Sequence, residues 1–166
     1  MKLSFILLFL LIGFQSISQN DEYKNQLQKI IADAPNDFKN LRGRIKEIIK
    51  PGDTIFVSRI EIEGSLMNEI SKSYPDSNRP SYVFFSRLDS SSIKEGKKII
   101  ERFKQKTKKA LGNSYTVKPF YQNYGKSLGD VNGFIFKDLK IEIILYYGKI
   151  GQYNFAYSYL TIRKLP

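Results

Sequence analysis

The chain has 166 residues, with 27 Lys and Arg against 16 Asp and Glu for a formal net charge of +11, and neither His nor Cys. Without those two residue types a Ser-His-Asp triad, a cysteine nucleophile, a disulfide and the usual zinc ligand sets are out of reach. Carboxylates, Lys, Tyr and Ser remain; no Asp-rich loop has hard-cation spacing, and the pairs Glu61/Glu63 and Asp21/Glu22 read as solvated charges.

Lys2 precedes an apolar run from Leu3 to Phe14, and Ser16 and Ser18 follow at the small-residue positions a signal peptidase reads. The pattern predicts a signal peptide over residues 1–18, cleaved near Ser18-Gln19, and a periplasmic or extracellular chain. The run is shorter than the roughly 20 apolar residues a membrane span takes, so a retained anchor is the second reading. Removal leaves 166 − 18 = 148 residues (19–166), the size of a single domain. That exported chain loses only Lys2 among its charges, which makes it +10, and holds no transmembrane segment.

From Asp21 onward Tyr23, Leu27, Ile30, Ile31 and Ala34 share one arc at 100° per residue, which predicts a helix. Pro35 predicts a kink and a restart capped by Asn36 or Asp37. Phe38 and Leu41 continue the apolar arc, and Arg42-Gly43 reads as the stop. Residues 44–50 fit helix or strand. Lys50-Pro51-Gly52-Asp53 is a turn, and the alternation over Thr54–Ile62 predicts a hairpin across it. Residues 64–80 read as a long loop with a helical turn near Leu66–Ile70, and Tyr82–Leu88 as a third strand.

This layout, with "DFKNLRG" (Asp37–Gly43) after a helix and "SRIEIEGS" (Ser58–Ser65) closing a hairpin, resembles small exported bacterial proteins of Bacteroidota type. The likeness covers about residues 1–110. It implies the hairpin and an extracytoplasmic address, and it implies no mechanism.

The second helix is the clearest element: Ser90–Ser92 offer caps, Gly112 a stop, and Ile93, Gly96, Ile99, Ile100, Phe103, Thr107, Ala110 and Leu111 one apolar arc. The remaining arc is basic. Lys94, Lys98, Arg102, Lys106 and Lys109 form a candidate anion-binding face, directed at an anionic envelope surface rather than nucleic acid in an exported protein.

Strands are predicted near Tyr115–Phe120, at Gly133–Lys137, at Lys140–Tyr147 and at Gln152–Arg163, with an aromatic-rich loop before the second. In the last of these, Tyr153, Phe155, Tyr157 and Tyr159 alternate. A three-residue loop, Lys149-Ile150-Gly151, pairs residue 148 with 152. That register sets the aromatic row beside Ile141, Ile143, Leu145 and Tyr147 in the core. It leaves Glu142, Ile144, Tyr146, Asn154 and Ser158 as a candidate exposed sheet face, and a change of one residue in the loop exchanges the faces.

The element order predicts an α+β fold, a two-layer antiparallel sheet with helices on one face and two αβββ halves. It is similar in layout to the tandem repeats of secreted β-lactamase inhibitor proteins, a likeness of architecture that carries no function by itself. The function read from the sequence is an exported, non-enzymatic binding or inhibitor-like module, with another exported protein as the partner class and no cofactor or metal. The alternatives are a polyanion or envelope-surface binder through the basic helix 93–111, and a carboxylate-based enzyme, for which no paired acids show the spacing.

Overall fold

The computed structural model describes residues 22–74, 80–88, 92–123, 130–138, 140–150 and 155–165. Helix α1 (residues 22–33) turns Tyr23, Leu27 and Ile30 into the core, as its periodicity predicts. It does not restart after Pro35. Ala34–Asn36 tightens into a 3-10 turn, and Asp37 and Phe38 then both take left-handed backbone angles, φ 57° and 56°. The buried carboxylate of Asp33 holds this turn. Its oxygens accept from the amides of Asn40 (3.0 Å) and Leu41 (3.2 Å) and from Asn40 Nδ2 (2.7 Å). Phe38 is thereby driven inward, against Phe84.

The chain leaves that turn extended, so Gly43 lies in strand β1 (Arg42–Lys50) rather than at a helix stop, and residues 44–50 are strand. The Pro51-Gly52 hairpin forms as predicted, with Lys50 opposite Asp53 at the head of β2 (Asp53–Ser58). The stretch read as a long loop is instead β3 (Ser65–Ser73). Its polar residues find partners that no local pattern reveals: Asn68 accepts from the Ile62 amide (3.3 Å) and donates to Ser65 Oγ (2.7 Å), and Glu69 pairs with Lys46. Strand β4 (Ser81–Leu88) follows.

Helix α2 (Ile93–Leu111) begins where Ser92 Oγ accepts from the Glu95 amide (3.2 Å) and ends at Gly112. Gly96, Ile100, Phe103 and Thr107 are buried. The remaining strands are β5 (Thr116–Asn123), β6 (Asp130–Lys137), β7 (Ile141–Ile150) and β8 (Phe155–Lys164).

All eight strands join one antiparallel sheet in the order β1-β2-β3-β4-β8-β7-β6-β5. Each half is thus a helix followed by a four-stranded meander, one strand more than the αβββ unit expected, and the halves meet where β4 pairs with β8. Both helices lie on one side of the sheet. They touch through Tyr23, whose ring meets Phe103 edge-on at 5.5 Å and whose hydroxyl lies 2.7 Å from Thr107 Oγ1 in a buried hydrogen bond. Ile70, Phe84, Phe136, Ile143, Leu145, Leu160 and Ile162 fill the layer between helices and sheet. Among the described residues no helix is long and apolar enough to cross a membrane.

The β7–β8 register overturns the predicted faces. Leu145 pairs with Leu160 and Ile143 with Ile162, and the ladder continues to Ile150 opposite Phe155. Four residues, 151–154, therefore separate the strands instead of three. Gly148 thus pairs with Tyr157 instead of residue 152, with Lys149 and Ile150 in the strand rather than the loop, and this odd shift exchanges the faces of β8. Leu160 and Ile162 go under the helices, while Tyr157 and Tyr159 face away from them. The physical preference is plain: two aliphatic side chains are fully buried, and the two tyrosines stay partly exposed.

Candidate functional site

The helices cover one face of the sheet, and the site is built on the other. Strand alternation places Tyr146 of β7 opposite Tyr159 of β8, and Ile144 opposite Thr161, all pointing away from α1 and α2. Tyr146 and Tyr159 stack at 5.6 Å between ring centroids with 24° between planes, and Tyr157 leans on both, at 6.3 Å and 5.8 Å. Tyr157 has room because its cross-strand neighbour is Gly148. A Cβ on that glycine would lie 2.5 Å from the Tyr157 hydroxyl oxygen.

These rings border a hollow of about 710 Å³. Its lining comes from every strand except β1, from Ile55 on β2 across to Phe120 on β5, so the open face is concave. A glycine contributes to the curl. At Gly133 a Cβ would stand 1.9 Å from the Leu145 carbonyl oxygen, so β6 approaches β7 more closely than any side chain would permit. Val83, Phe85, Val131 and Met67 make the rest of the lining largely apolar.

Glu69 lines this hollow and Glu142 borders it through Arg163, and both are engaged. Glu142 is largely buried, and its Oε2 accepts from Arg163 Nε (2.6 Å) and lies 2.5 Å from Arg163 Nη2. Glu69, also largely buried, pairs with Lys46. Arg87 stands opposite both Met67 and Tyr159 and is exposed, so the rim of the hollow is cationic. Among the described residues no group of three or more His, Cys, Asp or Glu could hold a metal ion.

Of the exposed-face residues predicted from sequence, Ile144 and Tyr146 line the hollow and Glu142 borders it through Arg163. Ser158 does not belong to this face. It is fully buried on the helix side, opposite Tyr147, as the exchanged register requires. Asn154 lies outside the described residues, as do Tyr153 and the side chain of Phe155. Tyr157 and Tyr159, expected in the core, lie on the open face instead. The signal against that placement was present in Leu160 and Ile162, which offer the core two aliphatic side chains on the alternate positions.

The predicted basic face is divided. Lys94, Lys98, Arg102 and Lys109 are exposed along α2. Lys106 is half-buried, 3.1 Å from Glu63 Oε2 and 5.6 Å from the centre of the Tyr23 ring, so it belongs to the packing between helices and sheet. Lys104 likewise pairs with Glu101 (3.2 Å) and covers the ring of Phe134 at 3.6 Å.

No protein-family model, curated protein or solved structure matches the chain, so the open face is interpreted from its own geometry.

Proposed function

We propose that the chain is an exported binding module that takes an apolar side chain of a protein partner into the tyrosine-lined hollow. One observation carries this reading: three tyrosine rings converge on a concavity of about 710 Å³ on the sheet face that neither α1 nor α2 covers. An antiparallel sheet can leave one face to water, but such a face is ordinarily polar. Here it is apolar, of ligand-pocket size, and lined by the residue type enriched where proteins meet. Rings already stacked on one another lose little rotamer freedom when a partner arrives, which favours binding over adaptation. Both acids bordering the hollow are bonded to cations, which supports binding over proton-transfer chemistry. The N-terminal pattern of Lys2, an apolar run and Ser16/Ser18 supports export.

The test is affinity capture from a bacterial envelope extract with wild type and with Ser71→Trp. Ser71 lines the hollow opposite Ile55 and Val83, so an indole there fills it from the β3 side. A partner retained by wild type and lost by Ser71→Trp, at equal unfolding midpoints, supports the reading. A partner held equally by both contradicts it.

A further inference from the structure

We propose that the outer face of α2 docks on an anionic lipid bilayer surface, leaving the hollow turned away from it. Lys94, Lys97, Lys98, Arg102, Lys108 and Lys109 are all exposed on this one helix. Its 19 residues extend for about 28 Å at 1.5 Å per residue. At 100° per residue these six side chains occupy an arc of roughly 140°, centred away from Ile100 and Phe103.

Five other cations are held by acids: Lys46 by Glu69, Lys50 by Asp53, Arg163 by Glu142, and on α2 itself Lys104 by Glu101 and Lys106 by Glu63. No ion pair among the described residues engages the six on the outer arc. Six unpaired positive charges thus stand together on one straight, convex ridge.

Charge complementarity calls for an anionic partner, and shape selects among anions. A nucleic acid or polysaccharide strand is held in a groove with aromatic rings to stack on, and the outer arc of α2 has neither. A plane of phosphate headgroups asks only for cations that reach it together, and a straight helix supplies them. The remaining apolar group at the start of the ridge, Ile93, is 40% exposed. Because α2 and the Tyr146–Tyr159 stack lie on opposite sides of the sheet, a bilayer against the ridge leaves the concave face free.

The test is co-sedimentation of the full chain with vesicles of pure phosphatidylcholine and with vesicles carrying a third phosphatidylglycerol, compared between wild type and the variant Lys94→Gln/Lys98→Gln/Arg102→Gln/Lys109→Gln. Attraction to an anionic leaflet amounts to roughly fivefold per basic residue, so four substitutions lower the anionic preference on the order of several hundred-fold. Any membrane affinity of the apolar stretch Leu3–Phe14 acts on both vesicle types and cancels in their ratio. Wild type should prefer anionic vesicles in about 0.05 M salt and lose the preference near 0.5 M, as the screening length contracts. Lys94→Arg/Lys98→Arg/Lys109→Arg, which keeps every charge, should keep the ratio and so separates charge from side-chain identity. A wild-type ratio near one, or a ratio untouched by the Gln substitutions, overturns the proposal. So does retention on a heparin-like resin without preference for anionic vesicles, which would assign the ridge to a polymer.

Discussion

Tyr146 and Tyr159 face each other across the β7–β8 ladder and stack at 5.6 Å on the side of the sheet that neither helix reaches. Their neighbours in sequence, Leu145 and Leu160, also face each other, on the opposite side and with no exposure at all. One register therefore fixes both the core and the open face.

Truncation should separate the two faces. Leu160→Ala removes a fully buried side chain and should cost about 2–5 kcal/mol in urea unfolding. Tyr159→Phe leaves the stacking surface in place and should change stability by less than about 0.5 kcal/mol. The reverse order would put the tyrosines in the core and the aliphatic pair outside.

How much of this was legible depended on whether the deciding contact is local. Helix α2 was readable from end to end because its cap, stop and apolar arc all lie within its own sequence, from Ser92 to Gly112. Strand β3 was not, since Asn68 and Glu69 make it a loop by composition and are satisfied only by Ile62, Ser65 and Lys46. The end of α1 was missed for a similar reason. Pro35 signals an interruption, but the Asp33 carboxylate binding Asn40 and Leu41 decides that the chain turns left-handed instead of restarting. The open face was half legible: Ile144 and Tyr146 followed from the β7 alternation, whereas Tyr157 and Tyr159 depended on one residue of loop length.

Ser86 and Thr107 are both fully buried, and their hydroxyls differ. Ser86 Oγ has no hydrogen-bond partner among the described residues, so Ser86→Ala should leave stability unchanged or raise it by about 1 kcal/mol. Thr107→Val strands the Tyr23 hydroxyl and should cost about 1–3 kcal/mol. Thermal denaturation of the two variants side by side checks the contrast; equal effects would contradict it.

Alkaline pH should weaken the fold through tyrosines. Burial pushes the Tyr23 hydroxyl far above its ordinary value of 10.0, against a smaller lowering by its bond to Thr107. Tyr115 is pushed up to about 12, chiefly by burial and further by Asp138. Both groups hold protons in the folded chain that the unfolded chain releases near pH 10, so their contribution is intact below pH 10 and is lost as pH rises from 10 towards 12 and beyond. The urea midpoint should therefore fall above pH 10, and more gently for Tyr115→Phe. An identical slope in that variant would remove Tyr115 from the explanation.

Gly148→Ala should act on the site more than on the fold. The new methyl meets the far end of the Tyr157 side chain, which can swing aside, and the Asp130 carbonyl oxygen at 3.1 Å, which must give by a few tenths of an ångström, so stability should fall by about 1 kcal/mol. The displaced ring should nonetheless alter whatever enters the hollow. The comparison is with Gly133→Ala, where the obstacle is the Leu145 backbone and the cost should reach about 3 kcal/mol. Urea unfolding of both, with the order reversed, would sink this account of the curl.

The most direct test of the tyrosine hollow as a binding site is a fluorescence titration of the folded protein with 1-anilinonaphthalene-8-sulfonate, an aromatic anion that suits an apolar hollow rimmed by Arg87. The account predicts saturable binding at a single site, weakened about tenfold or more by Tyr146→Ala/Tyr159→Ala, as loss of two stacking rings implies. It also predicts that Ser71→Trp abolishes binding while the unfolding midpoint holds, and that the four Gln substitutions on α2 leave it intact. Undiminished binding to both hollow variants would show that the probe sits elsewhere and that the open face is not the site.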